Sequence, residues 1–461
     1  MAAGLTSCSG FLTEDPKFSQ SNELTLSTFD GLDKSTAALY APLQSTSWYG
    51  ASMILTSELR GGNAKNPTDD QFGSGYYTDE AAWNFTPSQT VYVWSYAYFV
   101  IASADNVLNA LPNISDGTEA ERNNIKAEAL FMRALSHFDL VRTYAQPYTY
   151  QPNSLGVPVV LVAEIGKPSR NTVSEVYDQI LADLLEAESL MADDYSRSGV
   201  NNSLATCNKN TIRALLSRVY LYMGNYQKCA DYATKVINSG AYRLWTADEY
   251  ASQWTLTASN KGQEVIFEVD GSRKNAYFGN WLTIQWMTNP DGYGDVMATA
   301  DLLNIYEDGD VRGTMFEGVT GVDGHYWTTK YVGYDGSGRQ EANIPLIRLS
   351  EMYLNRAEAL YNGAVISGAS ADSDLKAITS NRGASTVTAS ASTIALERRK
   401  EFAFEGHIVF DLARTKTSLT REDYDGPEAY RNIPFPSYRW AMPIPKTETD
   451  ANENMQQNEG Y

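Results

Sequence analysis

Apolar positions recur at helical spacing in a few well-marked stretches of the chain. Over 122–144, Ile125, Ala129, Met132, Phe138, Val141 and Tyr144 fall close to one stripe, which predicts a helix with one buried face. Thr172-Val-Ser-Glu175 has the form of a capping box, and Val176, Ile180, Leu184 and Leu190 follow at the same spacing. Residues 212–240 predict a helix pair. Ile212, Leu216, Val219 and Tyr220 make one face, Gly224-Asn225 breaks the chain, and Tyr226, Cys229, Ala233, Val236 and Ile237 make the second before Gly240. Leu216, Ser217, Tyr220, Gly224, Tyr226, Cys229 and Ala233 sit at the offsets of one tetratricopeptide repeat. A related helix is expected over 346–363, with its partner near 391–406. Between these stretches, 45–90, 145–170 and 245–340 carry no helical period and are rich in Gly, Asn, Asp, Tyr and Trp. Irregular segments this long are uncommon unless they carry function, so the pattern predicts a helical scaffold with the insertions forming a face.

The last twenty residues, Met442 to Tyr461, break both patterns. Pro443 and Pro445 prevent a regular helix through them, and the amides that follow bring little apolar area. Such a terminus ordinarily frays.

Composition narrows the function. The 461 residues carry 30 tyrosines and 9 tryptophans, enough for large packed cores or for a surface that stacks on flat ligands. A net charge of −20 argues against nucleic acid and against adsorption to anionic lipid by charge alone. No run of 18 apolar residues is present, so no helical membrane span is expected. The 3 cysteines form no disulfide framework; Cys229 reads as a buried thiol, and pairing of Cys207 with Cys229 is left open. Leu5-Thr6-Ser7-Cys8 has the pattern of a bacterial lipobox, which makes Cys8 the candidate lipidation site. Only seven residues precede Cys8, fewer than the roughly 15–30 of a signal peptide, so the leader is expected to have been trimmed. A diacyl or triacyl anchor there would hold firmly.

Catalytic signatures are lacking. His137, His325 and His407 are far apart and form no metal-binding pair. No nucleophile elbow or phosphate loop stands out. Glu307-Asp308-Gly309-Asp310 lacks the spacing of an EF-hand and reads as a solvated turn. With 56 acidic residues, some carboxylate pair will meet the spacing of a glycosidase by chance, so spacing does not exclude one. No cofactor or metal is expected.

Four blocks resemble the SusD/RagB family, the surface nutrient-binding lipoproteins of Bacteroidetes. They are Cys8 with Phe11-Leu12 and Glu14-Asp15-Pro16; the helix from Lys126 through Arg133, His137-Phe138-Asp139-Leu140 and Arg142 to Tyr144; Glu397-Arg398-Arg399 with Glu401-Phe402, Phe404-Glu405-Gly406-His407, Phe410-Asp411-Leu412 and Arg414; and the tail. The resemblance runs end to end in consistent order. It implies a mostly α fold of four tetratricopeptide-type helix pairs, with a large irregular region packed against them. It further implies a lipid-anchored protein on the outer face of the outer membrane. Such a protein captures glycan without chemistry and works with a SusC-type TonB-dependent transporter.

On this reading, residues 1–20 are the anchor segment and linker, and 21–461 form one unit. The scaffold lies mainly in 25–45, 90–145, 172–240 and 345–410, the ligand region in 45–90 and 245–340, and the extended tail in 430–461. The alternating charges of Arg398, Arg399, Glu401, Glu405, Asp411 and Arg414 are expected to pin the helix end to the tail.

Sugars bind through C–H faces laid on aromatic rings and hydroxyls bonded to fixed polar groups. Family members take their ligand contacts from the same two irregular regions. The candidate ligand residues are therefore Arg60, Asn63, Asp69, Tyr76, Tyr77 and Trp83 in the first, and Asn280, Trp281, Trp286 and Tyr293 in the second, with Asn289 and Tyr326-Trp327 nearby. Two other classes compete: a scaffold or adhesin subunit that binds protein through its helix pairs, and a hydrolase. The glycan itself is left open, from starch and fructan to host N-glycan and plant hemicellulose.

Overall fold

The computed structural model describes residues 25–68, 71–89, 92–256, 263–271, 282–333 and 342–461. Local capping chemistry sets where its long helices start. α1 (Phe29–Ala38) and α2 (Ser52–Gly61) lead into α3 (Tyr92–Ala110) and α4 (Glu119–Tyr144). At the head of α4, Thr118 N–H donates to the Glu121 carboxylate at 2.7 Å and Glu121 N–H donates to Thr118 Oγ1 at 3.2 Å. α5 (Val173–Leu190) begins with the predicted box between Thr172 and Glu175. α6 (Lys209–Met223) ends at Gly224, whose φ of +72° suits glycine, and α7 (Tyr226–Ile237) follows at once. Then come α8 (Ala247–Gln253), α9 (Leu349–Tyr361), α10 (Ala371–Asn381), α11 (Ala391–Glu401), α12 (Ile408–Arg414) and α13 (Lys446–Ala451).

These helices stack as a row: α3 on α4, α4 on α5, α5 on α6, α6 on α7, α7 on α9 and α9 on α10. Small groups let the middle of the row close up. Ser217 Oγ donates to Cys229 O at 3.1 Å, and Cys229 Sγ donates to Asn355 O at 3.6 Å. Cys207 and Cys229 are both buried free thiols, so the bond between them left open above does not form. The expected partner of 346–363 also needs correction. α9 packs on α11, but more extensively on α7 and on α10, which the apolar pattern does not reveal.

Short antiparallel strands stitch the irregular region to the row. β1 (Ala64–Lys65) pairs with β3 (Met297–Ala298), β2 (Val265–Val269) with β6 (Ile344–Arg348), β4 (Phe316–Gly318) with β5 (Tyr326–Thr328), and β7 (Leu419–Thr420) with β8 (Asn432–Ile433). Every residue of β2 and β6 is buried. Beside them lies a buried ion network. Arg348 donates to Glu401 and Glu405 at 2.8 Å each, Arg382 bridges Glu264 and Glu401 at 2.8 Å, and Lys330 reaches Glu405 at 2.7 Å.

That network corrects the expectation for the charged block. Glu401 and Glu405 pin α11 to β6, not to the tail, and Arg398 and Arg414 bind Asp411 and Glu358. The tail is held by other groups. Asn458 Nδ2 donates to Tyr144 O at 2.8 Å, Arg170 donates to Asn458 Oδ1 at 2.8 Å, and Met442 N–H donates to Thr143 O at 2.9 Å. The amides of the tail therefore bond the end of α4 and the segment after it, and a terminus that would fray alone is ordered.

His137 sits inside α4 as a neutral imidazole. Its Nδ1 lies 3.1 Å from Arg133 O, and Val160 N–H approaches Nε2 at 3.4 Å. Burial, with Arg133 beside it, pushes its pKa down to about 3.

Candidate functional site

Besides the β1–β3 pairing, one carboxylate joins the two irregular regions. Asp295 Oδ1 accepts from Ser74 N–H at 2.8 Å and Tyr76 N–H at 2.9 Å, and Asn66 Nδ2 donates to Tyr76 O and Asp295 O. Gly73 N–H donates to Tyr293 O at 2.9 Å. This needs a tight turn: Gly73 and Gly75 hold φ of +83° and +84°, and a Cβ on Gly73 would stand 3.1 Å from Pro67. Burial raises the Asp295 pKa, while the amides of Ser74, Tyr76 and Gly75 oppose that rise.

The turn sets out a group of aromatic rings. Tyr76 and Tyr293 meet edge to face with centroids 5.3 Å apart, and Tyr76 stays 38% exposed. Trp286, half-buried, lies on the same loop, where its carbonyl accepts from Tyr293 N–H at 3.0 Å. Phe72 packs on Trp327 at 4.8 Å and on His325 at 5.7 Å, and Tyr326 beside them is 39% exposed. The β4–β5 hairpin carries these last residues, and Trp327 Nε1 donates to Gly294 O at 3.0 Å, which ties the hairpin to the turn.

A cleft of about 180 Å³ adjoins the rings, lined by Gln285, Asn289, Asp291, Glu317 and Trp327 among others. None of its described lining residues is Lys, Arg or His. Gln285 is buried, and its Oε1 finds no hydrogen-bond partner among the described residues. Exposed rings beside amides and carboxylates, with no cation among the described lining residues, suit a neutral polyhydroxylated ligand.

The sequence-predicted residues fall into three groups. Tyr76, Trp286 and Tyr293 come together at these rings. Asp69, Asn280 and Trp281 lie outside the described residues. Arg60, Asn63, Trp83 and most of Tyr77 are taken up by the protein itself, which corrects their assignment. Trp83 is 0% exposed: its Nε1 donates to Arg60 O at 3.1 Å, the Arg60 guanidinium lies 4.5 Å above its ring, and Trp440 packs against it at 5.1 Å. Arg60 donates to Arg439 O and Arg439 donates to Trp83 O, so this pair holds the tail. Asn63 Nδ2 donates to Glu58 Oε2 at 2.8 Å and its Oδ1 accepts from Arg399 at 2.8 Å. Tyr77 is half-buried with φ +63°, its hydroxyl lies 3.2 Å from Ser52 Oγ, and burial pushes its pKa up to about 12.

Phe72, His325, Gln285, Asp291 and Glu317 were missed by sequence reasoning. All five lie in the predicted ligand segments, but only Phe72 and His325 are rings; Gln285, Asp291 and Glu317 carry no local signal. The Glu307–Asp310 turn is engaged internally, with Asp310 bidentate to Arg312 at 2.8 and 2.7 Å. Among the described residues no cluster of three or more His, Cys, Asp or Glu could hold a metal ion.

Comparison with known proteins adds an independent line. Residues 10–221 match the SusD-like family profile described as starch-binding and associating with the outer membrane, and residues 314–461 match the SusD family profile. The SusD-like protein P2 of Formosa agariphila is 28% identical over 334 residues, spanning 67% of this chain but 60% of that protein. The starch-binding protein SusD of Bacteroides thetaiotaomicron is 25% identical, over 85% of this chain and 87% of its own length. A crystal structure of a SusD superfamily protein from Bacteroides thetaiotaomicron superposes with a TM-score of 0.85 at 30% identity, covering 94% of this chain and 99% of that one.

Proposed function

This chain belongs to the SusD/RagB family, and from that premise we propose that it captures neutral oligosaccharide or polysaccharide on the ring face of Tyr76, Tyr293, Trp286 and Tyr326. The observation that carries the reading is the edge-to-face meeting of Tyr76 and Tyr293 on the turn to which Trp327, a wall of the cleft, is bonded, with no cation among the described residues of that cleft. The rings offer flat apolar surface for sugar C–H groups, while Asn289, Asp291 and Gln285 Oε1, unpartnered among the described residues, supply hydroxyl partners. The starch-binding relative supports the ligand class.

The protein binds without chemistry and passes glycan to a SusC-type TonB-dependent transporter. A lipid on Cys8, which lies outside the described residues, holds it on the outer face of the outer membrane. The outer-membrane description of the matching family supports that placement.

A glycan array probed with the purified protein, read beside a reducing-end assay on every bound glycan, tests this. Binding to a neutral glycan series without release of new ends is expected. Release of ends would make it a hydrolase. Co-purification with a protein partner, with no glycan bound, would turn the reading to a scaffold or adhesin subunit.

A further inference from the structure

A pocket of about 490 Å³ forms where the tail docks, and it shares no lining residue with the cleft beside the rings. Besides Arg170, its walls come from three segments: 146–155 just after α4, 436–441, and 457–460. Gln146 joins the first to the second, since its Nε2 donates to Ser437 O at 3.1 Å and to Tyr438 O at 3.2 Å. Arg170 joins the first to the third, donating to Leu155 O at 2.9 Å and to Asn458 Oδ1 at 2.8 Å. The docked tail therefore assembles the pocket.

Two tyrosine rings line it, each held by its neighbours. Tyr150, half-buried, packs edge to face on Phe435 with centroids 5.1 Å apart. Tyr438 meets Tyr461 edge to face at 5.1 Å, has the Arg439 guanidinium 5.1 Å from its centroid, and stays 36% exposed. Gly460 lets the tail come this close: its φ is +89°, and a Cβ there would stand 2.5 Å from the Tyr438 ring. The two phenol hydroxyls and the exposed Gln151 side chain have no hydrogen-bond partner among the described residues, and Gln146 Oε1 is buried without one.

The chemistry of the walls selects the occupant. Pro436 aside, Leu155 and Ala441 are the only aliphatic residues among the described lining residues, which gives an apolar ligand little to rest on. Arg170 and Glu459 are the only charged ones, and they are opposite in sign. Each nitrogen of Arg170 already donates to a carbonyl oxygen: Nε to Gly156 at 2.6 Å, Nη1 to Gln456 at 3.0 Å, and Nη2 to Leu155 and the Asn458 amide. Its fork is spent inside the protein and offers a carboxylate no bidentate partner. What remains is ring surface beside hydroxyls and amides that both donate and accept. A sugar matches it, with a C–H face on Tyr150 and hydroxyls on Gln151, Gln146 Oε1 and the phenols. The volume lies within the ~300–1,000 Å³ range of ligand sites.

We propose that this pocket is a second saccharide site, for a neutral glycan, weaker than the ring face because fewer rings line it. Only its rank as second rests on the ring-face reading; its ligand class follows from its own walls. The test is an array of neutral hexasaccharides built from glucose, mannose, galactose or xylose, with hexuronate oligomers as acidic controls. It is probed with wild type, with the ring-face triple variant Tyr76→Ala, Trp286→Ala, Tyr293→Ala, and with Tyr150→Ala or Gln151→Ala added to each. The triple variant should keep weak binding to at least one neutral hexasaccharide, lowered at least about tenfold by Tyr150→Ala and about threefold by Gln151→Ala. Unfolding of Gln151→Ala should move by no more than about 2 °C, since the residue is exposed and its side chain is not engaged. Absence of binding in the folded triple variant, residual binding indifferent to both substitutions, or preference for hexuronates overturns the inference. Binding that survives the triple substitution undiminished but falls with Tyr150→Ala overturns the ring-face reading instead and leaves this pocket as the glycan site. A wild type that binds no neutral hexasaccharide overturns both. Should the triple variant not fold, calorimetric stoichiometry decides: wild type should take up a second hexasaccharide per chain that Tyr150→Ala does not, and equal stoichiometry in the two overturns the inference.

Discussion

The interior and the ring face use the same residue types for opposite ends. In the interior Arg, Glu and Trp are consumed internally: Arg348, Arg382, Glu264, Glu401 and Glu405 satisfy one another, and Trp83 is closed under Trp440. At the ring face, Tyr76 and Tyr326 keep open surface, and Gln285 Oε1 in the adjoining cleft has no bond among the described residues. The lesson is that residue type does not separate buried from exposed aromatics here. What separates them is whether a distant segment covers them.

The comparison can be broken hardest at the ion network. Arg348→Met leaves three carboxylates short of a partner, and chemical denaturation should show a loss of about 3–5 kcal/mol. A loss under about 1 kcal/mol would mean that the network is not what fastens α11 to β6. Trp83→Ala should cost about 3–4 kcal/mol by opening a cavity under the tail. Its glycan affinity should match that of wild type at a temperature where both are folded. A selective loss of affinity would return Trp83 to the ligand site.

A pH series sharpens the same contrast. Burial pushes Glu58 up to about 7 despite bonds from Asn63, Phe404 and Gly406. A carboxyl raised in the folded state contributes stability that is complete below its unfolded value of 4.5 and is lost as pH rises through about 7. Asp411 runs the other way. Burial would raise it, but Arg398 and Arg414 outweigh that and hold it well below the carboxylate range, and its contribution is lost as pH falls below the unfolded value of 3.8. His137, neutral when folded, also loses stability as pH falls from 6.5 toward about 3. Unfolding midpoints from pH 3 to 9 should therefore peak at mildly acid pH, with the Glu58 part on the order of 3 kcal/mol. A midpoint that climbs steadily to pH 9 would contradict the Glu58 assignment.

Much of the helical row was legible because its signals are local. The Thr172–Glu175 box and the Gly224-Asn225 break sit within one turn of the boundaries they set. α10 was not legible: Leu375 and Ile378 are its buried apolar positions, set among Asp, Ser and Thr. β2 was hidden because Glu268, buried in the middle of it, reads as a surface residue until Asn202 and Asn343 are seen to bind it. At the site, Tyr76, Trp286 and Tyr293 were legible as rings in irregular sequence. Arg60, Asn63 and Trp83 carry the same signature, and only Arg399, Arg439 and Trp440, far along the chain, tell them apart.

The central claim is that the ring face, and not the buried tryptophans, holds the glycan. Calorimetric titration of a glycan found on the array into wild type, Tyr76→Ala, Trp286→Ala and Tyr293→Ala tests it most directly. The account predicts that affinity falls at least about tenfold, about 1.4 kcal/mol, in at least two of the three. Unfolding of the exposed Tyr76→Ala should move by no more than about 2 °C. Unchanged affinity in all three variants would contradict it and move the site elsewhere.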